Sequence, residues 1–179
     1  AAFVANQFRA RLAPEELDYL IINHNEPDHS GGIDALLAKN PKLQLICAAP
    51  ALPFVKNVIN DDSVEIRTVK DGEQLDLGGA TLEFISAPFM HWPDTMFTFV
   101  REKGVLFPCD FLGSHFCDER MFDDLVDDFS LARRHYFDHI IRPFKEYVLQ
   151  ALDKIEDLPI RMIAPSHGPI YDHPSIILN

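Results

Sequence analysis

The chain has no apolar run of the roughly 18 residues that a membrane-spanning helix needs, so a membrane is not an expected destination. It has no Cys-x-x-Cys pair. Its three cysteines, Cys47, Cys109 and Cys117, are scattered, and an odd count is a poor disulfide framework. A reducing cytoplasm is the expected compartment. Positive charge is scarce: 16 Lys and Arg stand against 28 Asp and Glu, a net charge of −12. An acidic surface repels nucleic acid and anionic lipid, so neither is an expected partner. No internal repeat, low-complexity linker or signal peptide is visible. The first residue is Ala rather than Met, and a strand-like pattern is under way by Asp18. This stretch is therefore expected to begin inside a larger polypeptide.

What is present is ordinary for a globular domain: 179 residues, 47% hydrophobic and 25% charged, enough for one domain with a real core. Residues 3–12 have helical spacing, and Pro14 with Glu15 and Glu16 suits a first helical turn. Tyr19 to Asn23 reads as a buried strand, followed after Ser30-Gly31-Gly32 by a helix that Asn40-Pro41 ends. Leu43 to Ala48 and Val64 to Val69 read as strands around a helix over 51–59. Hairpins are expected from 75–77 with 81–85, and from 95–100 with 105–107. Residues 120–155 read as acidic, then amphipathic and helical, with a break near Pro143. Arg161 to Ala164 is a last strand. Strands alternating with helices, plus hairpins, indicate an α/β domain.

Groups that bind metals recur where strands end. His24, Glu26, Asp28 and His29 crowd one loop. His91 follows the strand at 81–85, Asp110 follows 105–107, and His167 follows 161–164. Loops at the ends of a rigid sheet are where sites tend to be built. A short loop with donors at 24, 26, 28 and 29 can face two ways and so serve two ions. Two ions a few ångströms apart need a bridge, and Asp110 can share its two oxygens. Asp94, three residues after His91, suits a hydrogen-bonding partner of a ligand or a turn cap. Asp28 can also cap the helix after it. His115, His135, His139 and His173 fall outside the pattern, although His135 and His139 are spaced i, i+4.

The motifs N-H-N-E-P-D-H-S-G (23–31), H-W-P-D-T-M-F-T-F (91–99), D-F-L-G-S-H-F (110–116), F-D-D (122–124) and A-P-S-H-G-P-I-Y (164–171) carry a resemblance over nearly the whole chain. It resembles the metallo-β-lactamase superfamily, and more closely the flavodiiron proteins, also called A-type flavoproteins or rubredoxin:oxygen oxidoreductases. The resemblance implies a metallo-β-lactamase-like αββα sandwich of the α/β class, here without its N-terminal strands. It implies two non-haem irons: His24, Glu26 and His91 on one, Asp28, His29 and His167 on the other, Asp110 between them. In some members water replaces the residue matching His29. His115 matches a histidine near the diiron pocket, which the resemblance implies as a catalytic residue donating a hydrogen bond there, and Trp92 and Tyr171 are pocket-lining or core residues.

The implied activity is reduction of dioxygen to water, of nitric oxide to nitrous oxide, or of both. The implied electron source is FMN on a C-terminal flavodoxin-like domain, fed by a donor such as rubredoxin or a reductase. A head-to-tail homodimer would bring one subunit's flavin to the other's irons. No Ser/Thr/Gly-rich phosphate loop of a flavodoxin occurs in residues 1–179, so the FMN is expected outside this stretch. The competing expectation is a zinc-dependent hydrolase of the same superfamily. Glu26 argues against it: zinc hydrolases favour histidine-rich sites, while a hard anionic oxygen suits iron that cycles its oxidation state.

Overall fold

The computed structural model describes residues 13–174, which leaves the predicted helix at 3–12 outside the described residues. The chain divides into two compact units, residues 1–69 and 70–179.

In the first unit, β1 (Tyr19–Ile22), β2 (Gln44–Ala48) and β3 (Ile66–Val69) form a parallel sheet in that order. Tyr19 pairs with Gln44, and Leu45 with Ile66. The central strand reads L-I-C-A with every one of these residues buried, as expected for a parallel strand covered on both faces. Between the strands run α1 (Pro27–Ser30), α2 (Ile33–Leu37) and α3 (Leu52–Ile59). Ile33 and Leu36 from α2, and Val55 and Ile59 from α3, pack with Ile22, Leu45 and Cys47 into one core. Asn60 ends α3 in the left-handed region, its N–H donating to the Lys56 carbonyl at 2.8 Å.

In the second unit, β4 (Gln74–Asp76), β5 (Thr81–Ser86), β6 (Met96–Val100) and β7 (Val105–Phe107) are successively antiparallel, and β8 (Met162–Ile163) joins β7 in parallel. The β6–β7 turn closes through Gly104 at φ +65°, where a Cβ would lie 2.7 Å from the Pro159 carbonyl oxygen. The Gly104 carbonyl accepts the N–H groups of Arg161 and Met162, which brings β8 alongside. Helices α4 (Ser130–Tyr136) and α5 (Lys145–Ile155) add Tyr136, Ala151 and Ile155 to a core with Phe97, Phe99, Leu106 and Ile163.

Both predicted hairpins and the strands at 19–23, 43–48 and 161–164 are present, trimmed at their ends. Three expectations need correction. Residues 120–129 are not helical; the helix starts at Ser130. A helix there would stack Asp123 on Asp127 and Asp124 on Asp128, an unfavourable i, i+4 pattern, and Phe122 instead bridges to Ile170. The break near Pro143 is real: a π-turn at Phe137–Ile141 and a 3-10 turn at Arg142–Phe144 separate α4 from α5. The strand at 64–69 begins only at Ile66. Pro14–Glu16 forms a single 3-10 turn.

Phe111, immediately after Asp110, is 2% exposed and stacks on Phe97 with ring centroids 5.6 Å apart and an interplanar angle of 4°. Phe111→Ala should cost about 3–5 kcal/mol of stability, the range for emptying a buried aromatic site. Urea unfolding of the variant checks this; a loss under 1 kcal/mol would mean that the stack does not anchor the loop.

Candidate metal centre

In the first unit, β1 delivers the chain into His24, which is 1% exposed. Pro27 opens α1, where its missing N–H is no loss. The N–H groups of His29 and Ser30 both donate to the Glu26 carbonyl. The Ser30 hydroxyl donates to the carbonyls of Asn25 (3.1 Å) and Glu26 (3.0 Å), tying the loop to the end of its helix. Within this loop the donors lie close together. His24 Nε2 and Glu26 Oε2 lie 3.2 Å apart, the rings of His24 and His29 are 5.0 Å apart, and His29 Nε2 is 3.6 Å from Asp28 Oδ1. Asp28 is not a helix cap: Glu26 holds the N-cap position, without a side-chain cap bond, and Asp28 sits in the first turn with its side chain exposed.

In the second unit, His91 lies in the loop between β5 and β6. That loop is closed by Ala87 N–H to the Thr95 carbonyl (3.0 Å) and Phe89 N–H to the Trp92 carbonyl (2.8 Å). Phe89 anchors it against the Tyr147 ring of α5 at 4.5 Å. Trp92 therefore serves the loop through its backbone, and Asp94 is buried. Asp110, 1% exposed, follows β7 in a tight turn with Cys109 and Leu112 both at positive φ. Tyr171 is core: its hydroxyl donates to the Leu112 carbonyl at 3.0 Å, and burial pushes its pKa up to about 12.

The two oxygens of Asp110 face different histidines. Oδ2 is 2.9 Å from His91 Nε2, and Oδ1 is 3.5 Å from His167 Nε2. Backbone bonds from Ser166 N–H to the Cys109 carbonyl (2.8 Å) and from Ser114 N–H to the His167 carbonyl (3.1 Å) fix this pairing. His115 is exposed; its ring meets Tyr136 edge-on at 4.8 Å and lies 6.0 Å from the His167 ring. His135 and His139 stack at 4.1 Å on the exposed side of the α4 region.

Sequence reasoning gave Cys109 no place beside Asp110. Burial, and then the Asp110 charge, hold its thiol protonated far above the ordinary range, and Ser166 Oγ lies 3.6 Å from its sulfur. Its adjacency to Asp110 was the one available signal. All three cysteines are free.

The donor set suits hard or borderline transition metals. Neutral imidazoles alternate with carboxylates, and a carboxylate whose two oxygens address two imidazoles has the form of a bridging ligand.

Residues 2–168 match the ODP family of β-lactamases. The chain is 44% identical over 177 residues to the type A flavoprotein fprA of Rhodobacter capsulatus, covering 95% of this chain and 41% of that one. It is 37% identical to the anaerobic nitric oxide reductase flavorubredoxin of Salmonella arizonae, covering 98% and 38%. Among solved structures, the metal-soaked Flv1 flavodiiron core from Synechocystis has a TM-score of 0.88 at 31% identity, covering 97% of this chain and 44% of that one. The rubredoxin oxygen:oxidoreductase from Desulfovibrio gigas has a TM-score of 0.87 at 27% identity, covering 92% and 42%. The chain thus spans about two fifths of the length of the curated relatives it matches.

Native-state alkylation with iodoacetamide should label the exposed Cys117 and spare Cys109 and Cys47 until the fold is opened, because the thiolate is the reactive form. Peptide mapping reads this directly; early labelling of Cys109 would contradict its burial.

Proposed function

Since the chain belongs to the ODP β-lactamase family, and within it to the flavodiiron proteins with their metallo-β-lactamase-like α/β fold, we propose that it is the diiron module of an oxygen or nitric oxide reductase. His24, Glu26 and His91 would hold one iron, Asp28, His29 and His167 would hold the other, and Asp110 would be shared between them. The observation that carries this reading is the Asp110 carboxylate presenting one oxygen to His91 and the other to His167. Supporting it, His24 and Glu26 come within 3.2 Å of each other on a loop pinned by Ser30. Two of the relatives described carry names of nitric oxide reductase and of rubredoxin oxygen:oxidoreductase.

Two irons held by these residues would supply electrons for the reduction of oxygen or nitric oxide. The chain's own residues do the rest. The carboxylates lower the charge of the centre, with Glu26 adding an anionic oxygen where a zinc hydrolase would favour imidazole. Burial keeps bulk water from His24 and Asp110. His115, beside His167, is the hydrogen-bond donor at the edge of the site. FMN on a flavodoxin-like domain outside these residues would supply the electrons, fed by rubredoxin or a reductase, with a head-to-tail homodimer as the working unit. The free thiols are compatible with a cytoplasmic setting. Among the described residues no helix is long and apolar enough to cross a membrane, and the net charge of −12 disfavours nucleic acid.

The test is iron content together with anaerobic single turnover of the reduced, iron-loaded protein, with oxygen and nitric oxide side by side. About two irons per chain and consumption of either gas are expected; zinc with esterase activity and no gas consumption would overturn the proposal. Asp110→Asn should abolish magnetic coupling between the irons and reduce turnover at least about 100-fold, as loss of a carboxylate that tunes a centre does. A spin-coupled centre in that variant would remove Asp110 as the bridge. Glu26→His should shift the metal preference toward zinc, read by competition between the two ions.

A further inference from the structure

The Asp110–His167 pair is set by two segments of the second unit, residues 109–114 and 166–168, that touch through backbone. Ser166 N–H reaches the Cys109 carbonyl just before Asp110, and Ser114 N–H reaches the carbonyl of His167 itself. The space between them admits no additional atom. A Cβ on Gly168 would fall 2.2 Å from Ser114 Oγ, 3.1 Å from the Ser114 carbonyl oxygen and 3.3 Å from Ser114 Cβ. A Cβ on Gly113 would fall 3.0 Å from the Asp110 carbonyl oxygen and 3.2 Å from that of His167. Gly168 also holds φ at +88°, a region that side-chain-bearing residues rarely adopt.

Ser114 is 1% exposed, and its hydroxyl has no hydrogen-bond partner among the described residues. An unsatisfied buried hydroxyl is costly, so this serine is not placed there for its own stability. A small side chain at this point is what lets its N–H reach His167 while the chain turns at Gly168.

We propose that Ser114 and Gly168 are positioning residues for the metal centre: their close approach, possible only without a Cβ at 168, sets His167 against Asp110 at ligand spacing. The inference rests on the diiron reading for its consequence, but the contact itself does not. Metal–ligand distances tolerate only about 0.2 Å; in Gly168→Ala the Ser114 hydroxyl must turn away from the new Cβ, and the Ser114 carbonyl oxygen at 3.1 Å and Cβ at 3.3 Å must give by a few tenths of an ångström.

The experiment uses the full-length protein in four forms: wild type, Gly168→Ala, Gly168→Ala with Ser114→Gly, and Gly72→Ala. Gly72 has φ +74° and nothing within 4 Å of its Cβ position, so that variant carries the backbone strain without the collision. Iron per chain and thermal unfolding of the metal-free protein are read for each. Gly168→Ala is expected to fall from about two irons to about one, losing the ion assigned to His167, with a lower metal-free melting temperature than Gly72→Ala. Ser114→Gly is expected to restore at least half of both losses. Wild-type stoichiometry in Gly168→Ala, or a double variant no better than the single one, would overturn the proposal. A wild type that fails to bind two irons would sink the diiron reading instead, while metal-free melting would still report on the contact.

Discussion

The donor cluster of the second unit depends on one buried carboxylate. Asp110 is almost wholly removed from solvent, and both of its oxygens are turned toward imidazole nitrogens. A buried charge must be matched or it destabilises the fold, and removing one partner of such a pair costs about 3–5 kcal/mol. The surrounding architecture reads as the means of holding that match. The Phe97–Phe111 stack fixes the residue after Asp110, Tyr171 holds the carbonyl two residues on, and the 166–168 segment is bonded to both flanks. The positive φ values at Cys109 and Leu112 are local strain that packing must offset, a pattern that collects at functional sites.

The first unit uses a different device for the same end. Its donors lie on one continuous stretch, so no long-range pairing is needed to collect them. A parallel sheet delivers the strand end, a proline opens the helix, and a single serine hydroxyl bonds two carbonyls of the loop. The cost is exposure. Asp28 and part of Glu26 face solvent in the described structure, whereas Asp110 is buried. Local sequence can gather ligands cheaply; sheltering them requires tertiary structure.

That difference explains what the sequence could reveal. The H-x-E-x-D-H loop was legible because its donors are neighbours in the chain. His91, Asp110 and His167 were legible as residues after strands, because β-runs of alternating or apolar residues announce where a strand stops. Ser114 and Gly168 were not, since a serine and a glycine in a loop have no periodicity, and their meeting appears only once two segments more than fifty residues apart are folded together. The helix misplaced over 120–129 failed for a related reason. Amphipathic spacing was read across a run of aspartates whose mutual repulsion, with the long-range Phe122–Ile170 bridge, decided the outcome.

Glu26 carries the functional argument furthest. The fold alone does not separate hydrolysis from redox chemistry, because one scaffold hosts many reactions. The donor set does. A water activated for hydrolysis calls for a cation that stays strongly Lewis acidic, so neutral ligands serve it best. A centre that must give up electrons and regain them needs anionic ligands that stabilise its oxidised state. Exchanging an imidazole for the Glu26 carboxylate changes the charge at one ion by a full unit while the loop, the helix behind it and the spacing to His24 can stay as they are. The same backbone then supports a different chemistry. This is why the identity of one side chain on the loop after β1 says more about what the protein does than the sheets that hold it.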